Sequence, residues 1–306
     1  MPARGVLITG ASGFIGSHLA RACTARGIAV HGLTRSAARA GRRLGPAARL
    51  VERLGDIPAD APVDAMVNLA GAPVIGPPWT ARRRQALIDS RVRTTEAVLG
   101  WCRTRGSRPR VLVSASAIGF YGTAQDQWLD ESSPAQPDQF QSRLCMACEA
   151  AANRGTDLGI RVVNLRFGLV LGNDGGILPR LAFPAKLGLA SVLGDGRQWM
   201  SWIQLDDLLR IIELAIEADD LDGAVNAVAP TPVRQREFQQ ALTRKLRRPL
   251  WLRTPAALLR MGLGEMSELL VLGQRVAPRR LAARGFEFAH ATLETALDAS
   301  LTPVRS

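Results

Sequence analysis

Val6-Leu7-Ile8-Thr9-Gly10-Ala11-Ser12-Gly13-Phe14-Ile15-Gly16-Ser17-His18-Leu19 is the stretch that decides the fold. An apolar run stops at a glycine, two more glycines follow at three-residue spacing, and a helical pattern begins. The order is strand, tight turn, helix. Gly10 permits the turn, Gly13 offers bare backbone to a pyrophosphate, and Gly16 lets the helix lie close on the strand. The free N–H groups at the helix start would face the phosphates. An ordinary glycine-rich turn is the alternative, and the strand–turn–helix context argues against it.

The remainder of the composition narrows the class. A chain of 306 residues with 47% hydrophobic content can bury a large core. No apolar run has the length of a membrane span. The chain starts straight into a strand without a leader pattern, so a cytoplasmic protein is expected. Four cysteines do not make a disulfide framework at this length. Cys145 and Cys148 form a C-x-x-C inside a helical pattern, with no second pair to complete a zinc site, and no metal is expected. The net charge of +12 rests almost wholly on arginine, since Lys186 and Lys245 are the only lysines. These arginines are scattered and lack interleaved aromatic platforms. A solvated surface that attracts anionic ligands is preferred to nucleic-acid binding.

Taken in order, residues 28–33 read as a second strand ending at Thr34-Arg35-Ser36. A dinucleotide fold would place an acid here for the ribose of NAD; Arg35 instead suits a 2′-phosphate, which argues for NADP. The alternative is a surface arginine. Asp56 follows another short strand and reads as an adenine contact or a turn residue. Residues 64–69 form the next strand, ending in Asn68-Leu69-Ala70-Gly71, whose small residues fit a close cofactor approach. Residues 81–105 are helical, with Thr80 as N-cap. Strands at 110–116 and 160–165 flank a helix at 142–154. This alternation implies a Rossmann-type α/β fold with a doubly wound parallel sheet. After Leu171 the pattern becomes less regular, with a loop at 172–176, helices at 206–218, 234–246 and 256–272 and a strand across 198–204. The expected division is a dinucleotide-binding domain at 1–171 and a smaller α+β substrate part at 172–306, whose elements interleave with the first.

These phrases resemble the extended short-chain dehydrogenases/reductases, the epimerase/dehydratase branch. Thr9-Gly10-Ala11-Ser12-Gly13-Phe14-Ile15-Gly16, Asn68-Leu69-Ala70-Gly71, Ser114-Ala115-Ser116 with Tyr121-Gly122, and Trp202-Ile203-Gln204-Leu205-Asp206-Asp207 stand in that branch's order. More narrowly, the chain is similar to a bacterial epimerase/dehydratase-like family with its own C-terminal region, labelled cell-division-inhibitor-like in older usage. Asp89-Ser90-Arg91-Val92, Gly196-Arg197-Gln198-Trp199, Gly264-Glu265-Met266 and Gly273-Gln274-Arg275-Val276 carry that resemblance. It implies NADP(H) binding and a substrate cleft between the sheet's C-terminal edge and the smaller part.

The wider short-chain dehydrogenase resemblance implies a Ser, Tyr and Lys set; the narrower family usually lacks its Tyr–Lys pair and has Cys at the Lys position, and this chain lacks the pair too. Its one tyrosine is Tyr121, followed four residues later by Gln125, and neither lysine has a tyrosine four before it, so no Tyr-x-x-x-Lys exists. Aligning Glu149 with the family's acidic residue puts Gln141 at the Tyr position and Cys145 at the Lys position. Ser116 fits the serine role. Tyr121, in the loop after the strand at 110–116 where substrate contacts are expected, could donate a proton, but without a lysine its pKa near ~10 makes it a poor base. Glu149 reads as a desolvated base or as a solvated helix-face acid. Cys145 reads as a ribose contact or a packing residue. Structural roles are preferred for His18, His31 and His290. The candidate catalytic residues are thus Ser116, Tyr121 and Glu149. Candidate cofactor contacts are Gly10, Ser12, Gly13, Phe14, Ile15, Gly16, Arg35, Asp56, Leu69, Ala70, Gly71 and Cys145. The expected activity is NADP(H)-dependent oxidoreductase chemistry on a small carbonyl, alcohol or nucleotide-sugar-like substrate, with an NADP(H) sensor or scaffold as the rival. No nucleic-acid or membrane partner is expected, and a homodimer is left open.

Overall fold

Alternation within the apolar runs sorts the core into two layers. Val6 and Ile8 face one layer with Val111, Val113, Val163 and Leu165, while Leu7, Met66, Leu112 and Val162 face the other. Both faces are covered by helices, which is why these strands read as continuous apolar runs. The structure is a computed structural model, and it describes residues 3–45 and 48–301.

The central sheet has seven strands, and every pairing in it is parallel. Their order across the sheet is Gly223–Ala227, Arg161–Phe167, Val111–Ala117, Ala65–Asn68, Gly5–Thr9, Ala29–Leu33 and Arg49–Val51. The direction of winding reverses at Gly5–Thr9, which pairs with Ala29–Leu33 on one side and Ala65–Asn68 on the other. Ligands of open α/β sheets bind beyond the strands' C-terminal ends at such a switch point. Helices Phe14–Ala25 and Leu205–Glu217 cover one face through Leu19, Cys23, Leu208 and Ile212. Ala81–Arg103 covers the other through Val98, Leu99 and Cys102. Thr80 caps that helix, its hydroxyl accepting from the Arg83 N–H at 3.2 Å.

The second core gathers Leu171, Leu178, Trp202, Phe238, Leu242 and Leu297. Around it run two-stranded pairs, among them Leu169–Leu171 with Trp202–Gln204 and Ser191–Leu193 with Leu252–Thr254. Helix Leu205–Glu217 and strand Gly223–Ala227 return from this half of the chain to the central sheet.

Two local expectations are corrected. The helix expected at 256–272 is broken: Ala256–Leu263 ends at Gly264, whose φ of +57° is a backbone state that side chains disfavour. A 3-10 turn, Gly264–Ser267, and a short helix, Glu268–Val271, follow it. The strand expected across 198–204 splits at Ser201. Trp199–Met200 pairs with Val233–Arg234, while Trp202–Gln204 pairs with Leu169–Leu171. The Ser201 hydroxyl, donating to the Gln274 carbonyl and accepting from the Val276 N–H, replaces ladder bonds at the break.

Candidate active site

The glycine loop adopts the conformation its spacing requires. Gly10 has φ +67°, and a Cβ there would stand 3.0 Å from the Leu69 carbonyl. A Cβ on Gly16 would meet the Gly10 carbonyl oxygen at 2.4 Å. The Gly13 N–H donates to that same carbonyl at 2.8 Å. No side chain caps helix Phe14–Ala25 at Gly13, so its first-turn N–H groups are left for an anion. Ser12 and Thr34 approach through their hydroxyls at 3.3 Å, tying the loop to the end of the second strand.

Gly10, Gly13, Phe14, Ile15 and Gly16 line a cavity of about 360 Å³ with Leu69, Ala70, Gly71, Ser116 and Cys145. The Leu69–Ala70 backbone is set by a polar chain. Thr9 donates to Asn68 at 2.6 Å, Asn68 to Thr95 at 2.8 Å, and the Ala70 N–H to Thr9 at 3.2 Å. Phe14 closes one end by packing under the 172–176 loop: a Cβ on Gly175 would stand 2.4 Å from the Phe14 ring. Gly176 is on the cavity wall. Sequence reading noted this loop without linking its glycines to Phe14.

Arg91 is the wall residue that sequence reading quoted but did not assign. Its guanidinium donates to the Leu87 carbonyl at 3.0 Å and the Ala72 carbonyl at 3.1 Å. No carboxylate pairs with it among the described residues. Burial lowers its pKa from the ordinary value, as expected of a desolvated cation. Gly71 lets the guanidinium lie close, since a Cβ there would stand 2.8 Å from Arg91 Cζ and push the side chain aside.

Behind Ser116 lies a buried charged network. The Ser116 hydroxyl donates to Glu149 Oε1 at 2.7 Å. Arg166 grips the same carboxylate twice, Nε to Oε1 and Nη2 to Oε2, both at 2.8 Å. Arg166 Nη1 donates to the Tyr121 hydroxyl at 2.9 Å, and Tyr121 donates to Asn226 Oδ1 at 2.7 Å. The guanidinium also stacks 3.4 Å from the Phe120 ring centroid. Ser116 thus stands at the cavity, while Glu149 and Tyr121 stand behind the wall. Tyr121 is fully buried, not in a substrate-facing loop, and burial pushes its hydroxyl up to about 12. Glu149 is neither a free base nor a solvated helix-face acid, because it is buried and ion-paired.

Three expected cofactor contacts lie away from the wall: Ser12, whose hydroxyl meets Thr34 instead, Arg35 and Asp56. Arg35 is exposed beside Thr34, at the edge of the loop, without a side-chain partner among the described residues. Asp56 is exposed and accepts from the Arg53 N–H at 3.2 Å, which is the turn role. The histidines have structural partners or burial. His18 contacts Asp174 at 3.0 Å, His31 is buried in its strand, and the His290 backbone N–H donates to Asp207 at 2.8 Å while its ring Nδ1 is buried without a partner.

A second cavity, of about 290 Å³, adjoins the first. The two share Val74, Ala117, Leu144, Cys145 and Phe167. Cys145 therefore stands at their junction, its thiol pushed up to about 12 by burial. The second cavity extends between the sheet's C-terminal edge and the smaller part, reaching Met200, Gln239 and Leu270. Among the described residues, no helix is long and apolar enough to cross a membrane.

Comparison with known proteins agrees with this arrangement. The model of the NAD dependent epimerase/dehydratase family matches residues 6–227, and a domain of unknown function, DUF1731, matches residues 254–300. The chain is 34% identical to the epimerase family protein YfhF of Bacillus subtilis, over 95% of this chain and 96% of that one. It is 37% identical to the epimerase family protein Mb2239 of Mycobacterium bovis, over 97% of each. A crystal structure of human epimerase family protein SDR39U1 (isoform 2) with NADPH superposes with a TM-score of 0.87 at 30% identity, covering 97% of this chain and 98% of that one. With a family model spanning most of its length and near-full-length relatives above 30% identity, the chain belongs to the NAD dependent epimerase/dehydratase family.

Proposed function

We infer that the first cavity holds NADP(H) and that the protein is an oxidoreductase acting on a small carbonyl or alcohol at the junction of the two cavities. The observation that carries this reading is an uncapped helix start and an unpaired Arg91 on one wall, continuous with a second cavity past Ser116 and Cys145. The human relative crystallised with NADPH supports the choice of cofactor, as does Arg35 at the second strand's end. When bound, nicotinamide would supply or accept a hydride.

The chain's own residues bind and orient. First-turn N–H groups and Arg91 hold the phosphates, and Arg35 takes the 2′-phosphate by charge-assisted hydrogen bonds. The Ser116 hydroxyl turns from Glu149 to the substrate oxygen, while Arg166 keeps Glu149 in place. Tyr121 serves as a strut of that network, because its hydroxyl is already engaged by Arg166 and Asn226. Water in the cavity supplies or takes the proton. Leu144 and Phe167 give the junction apolar walls.

A second reading, an NADP(H) sensor without turnover, is favoured by the absence of any Tyr-x-x-x-Lys. Purified protein should bind NADPH and consume it with some member of a carbonyl library, followed by absorbance. Binding without turnover across the library favours the sensor; no NADPH binding overturns both readings.

A further inference from the structure

The walls of the second cavity have an unusual chemical balance for a family whose name suggests sugar chemistry. Lysine, arginine and histidine are absent from its described lining, and Glu268 is the lone carboxylate. Five glutamines, Gln141, Gln198, Gln235, Gln239 and Gln274, are set among leucines, isoleucines and Met200. Three of those amides have buried atoms without a hydrogen-bond partner: Gln198 Oε1, Gln235 Nε2 and Gln239 Oε1.

Two of the amides are fixed in orientation through Leu193, one of them through Leu270 as well. Gln198 Nε2 donates to the Leu193 carbonyl at 3.1 Å and to the Leu270 carbonyl at 2.7 Å, so its Oε1 is left as an acceptor. Gln235 Oε1 accepts from the Leu193 N–H at 3.2 Å, so its Nε2 is left as a donor. The Gln239 side chain makes no hydrogen bond among the described residues, although the residue is only 4% exposed. Orphaned buried amides are costly unless something fills them. A neutral acceptor and a neutral donor match a hydroxyl, a carbonyl or an amide. They cannot neutralise a phosphate, whose desolvation requires cationic partners. The Glu268 carboxylate on the lining opposes an anion further.

We propose that the second cavity takes an uncharged, largely apolar alcohol or carbonyl compound, read at its polar end by Gln198, Gln235 and Gln239, and that it excludes phosphorylated and nucleotide-linked substrates. The volume of about 290 Å³ lies just below the usual range of small-molecule pockets, roughly 300 to 1,000 Å³. The proposal rests on the oxidoreductase reading for its chemistry, but the binding preference is measured separately from NADPH.

The test is calorimetric titration of the NADPH-saturated protein, and of the protein alone, with three probes: 2-nonanol, nonyl phosphate and UDP-glucose. The alcohol should bind at least ~10-fold more tightly than the alkyl phosphate, and UDP-glucose should not compete with it. Gln239→Leu loses no internal bond, so it should fold, keep NADPH affinity and weaken 2-nonanol by about 10-fold. Gln198→Leu is the second variant, with the same expectation for the alcohol. Nonyl phosphate or UDP-glucose binding as tightly as the alcohol overturns the proposal. So does a protein that binds NADPH but not 2-nonanol, or a Gln239→Leu variant with unchanged alcohol affinity. Failure of NADPH to bind, with the alcohol still bound, overturns the oxidoreductase reading and leaves the cavity preference standing.

Discussion

The hydroxyl of Ser116 and the carboxylate of Glu149 meet at 2.7 Å, and Arg166 binds that carboxylate through two further bonds. This places the site's one well-positioned hydroxyl under the control of a buried ion pair. The side chains of Arg166 and Glu149 are 5% and 9% exposed, so the pair is desolvated on both sides.

Breaking such a pair from one side strands a charge. Glu149→Gln should destabilise the protein by about 3–5 kcal/mol, because Arg166 keeps its charge and loses its counter-ion. Urea denaturation measures it. A loss below about 1 kcal/mol would mean that water reaches Arg166 and the network is not dry.

Arg91 should control cofactor affinity. Arg91→Ala is expected to weaken NADPH about 10- to 100-fold, the value of one charge-assisted hydrogen bond to an anion. Fluorescence titration with NADPH reads this directly. Unchanged affinity would show that Arg91 only braces the Leu87 and Ala72 carbonyls.

Arg35 should set the choice between the two nicotinamide dinucleotides. Arg35→Ala should cut the ratio of NADPH to NADH affinity by about 10-fold or more, with NADH affinity little changed. The competing titrations use the same protein stock. An unchanged ratio removes Arg35 from the 2′-phosphate.

Stability should fall in alkali. Burial raises Cys23, Cys102 and Cys148 to about 11 and Cys145 to about 12, from 9.0, and Tyr121 to about 12 from 10.0. Each group stays protonated in the folded state at a pH where the unfolded chain has released its proton. Their contribution is therefore complete below the unfolded values and is lost as pH rises towards the folded ones. Urea midpoints should drop steadily above about pH 9. Tyrosinate absorbance, a single-residue probe in this chain, should appear only near unfolding. Titration of Tyr121 near its ordinary value in folded protein would contradict the buried network.

Legibility followed sequence distance. Gly10, Gly13 and Gly16 act within one turn, so their conformations and close approaches were readable from spacing. Thr80 was readable as a cap for the same reason. Arg91 was not readable as a wall residue, because it lies 19 residues from the Ala72 carbonyl it holds and reaches the cavity only when the helix packs on the sheet. Tyr121 was misplaced for a similar reason: its loop position suggested substrate contact, while the ring is buried against Arg166 and Asn226, 45 and 105 residues away.

By itself the sequence determined the alternation of strand and helix, the parallel sheet and the anion-ready glycine loop, since each depends on local periodicity and on backbone freedom at a few glycines. It also determined that no Tyr-x-x-x-Lys pair can form. Only the tertiary structure decided that Glu149 is locked to Arg166, that Ser116 alone of the three candidate catalytic residues stands at the cavity, and that Gln198, Gln235 and Gln239 gather on one wall. The physical reason is that burial and desolvation belong to packing between distant segments, and no local pattern encodes which polar groups will be left without water or a partner.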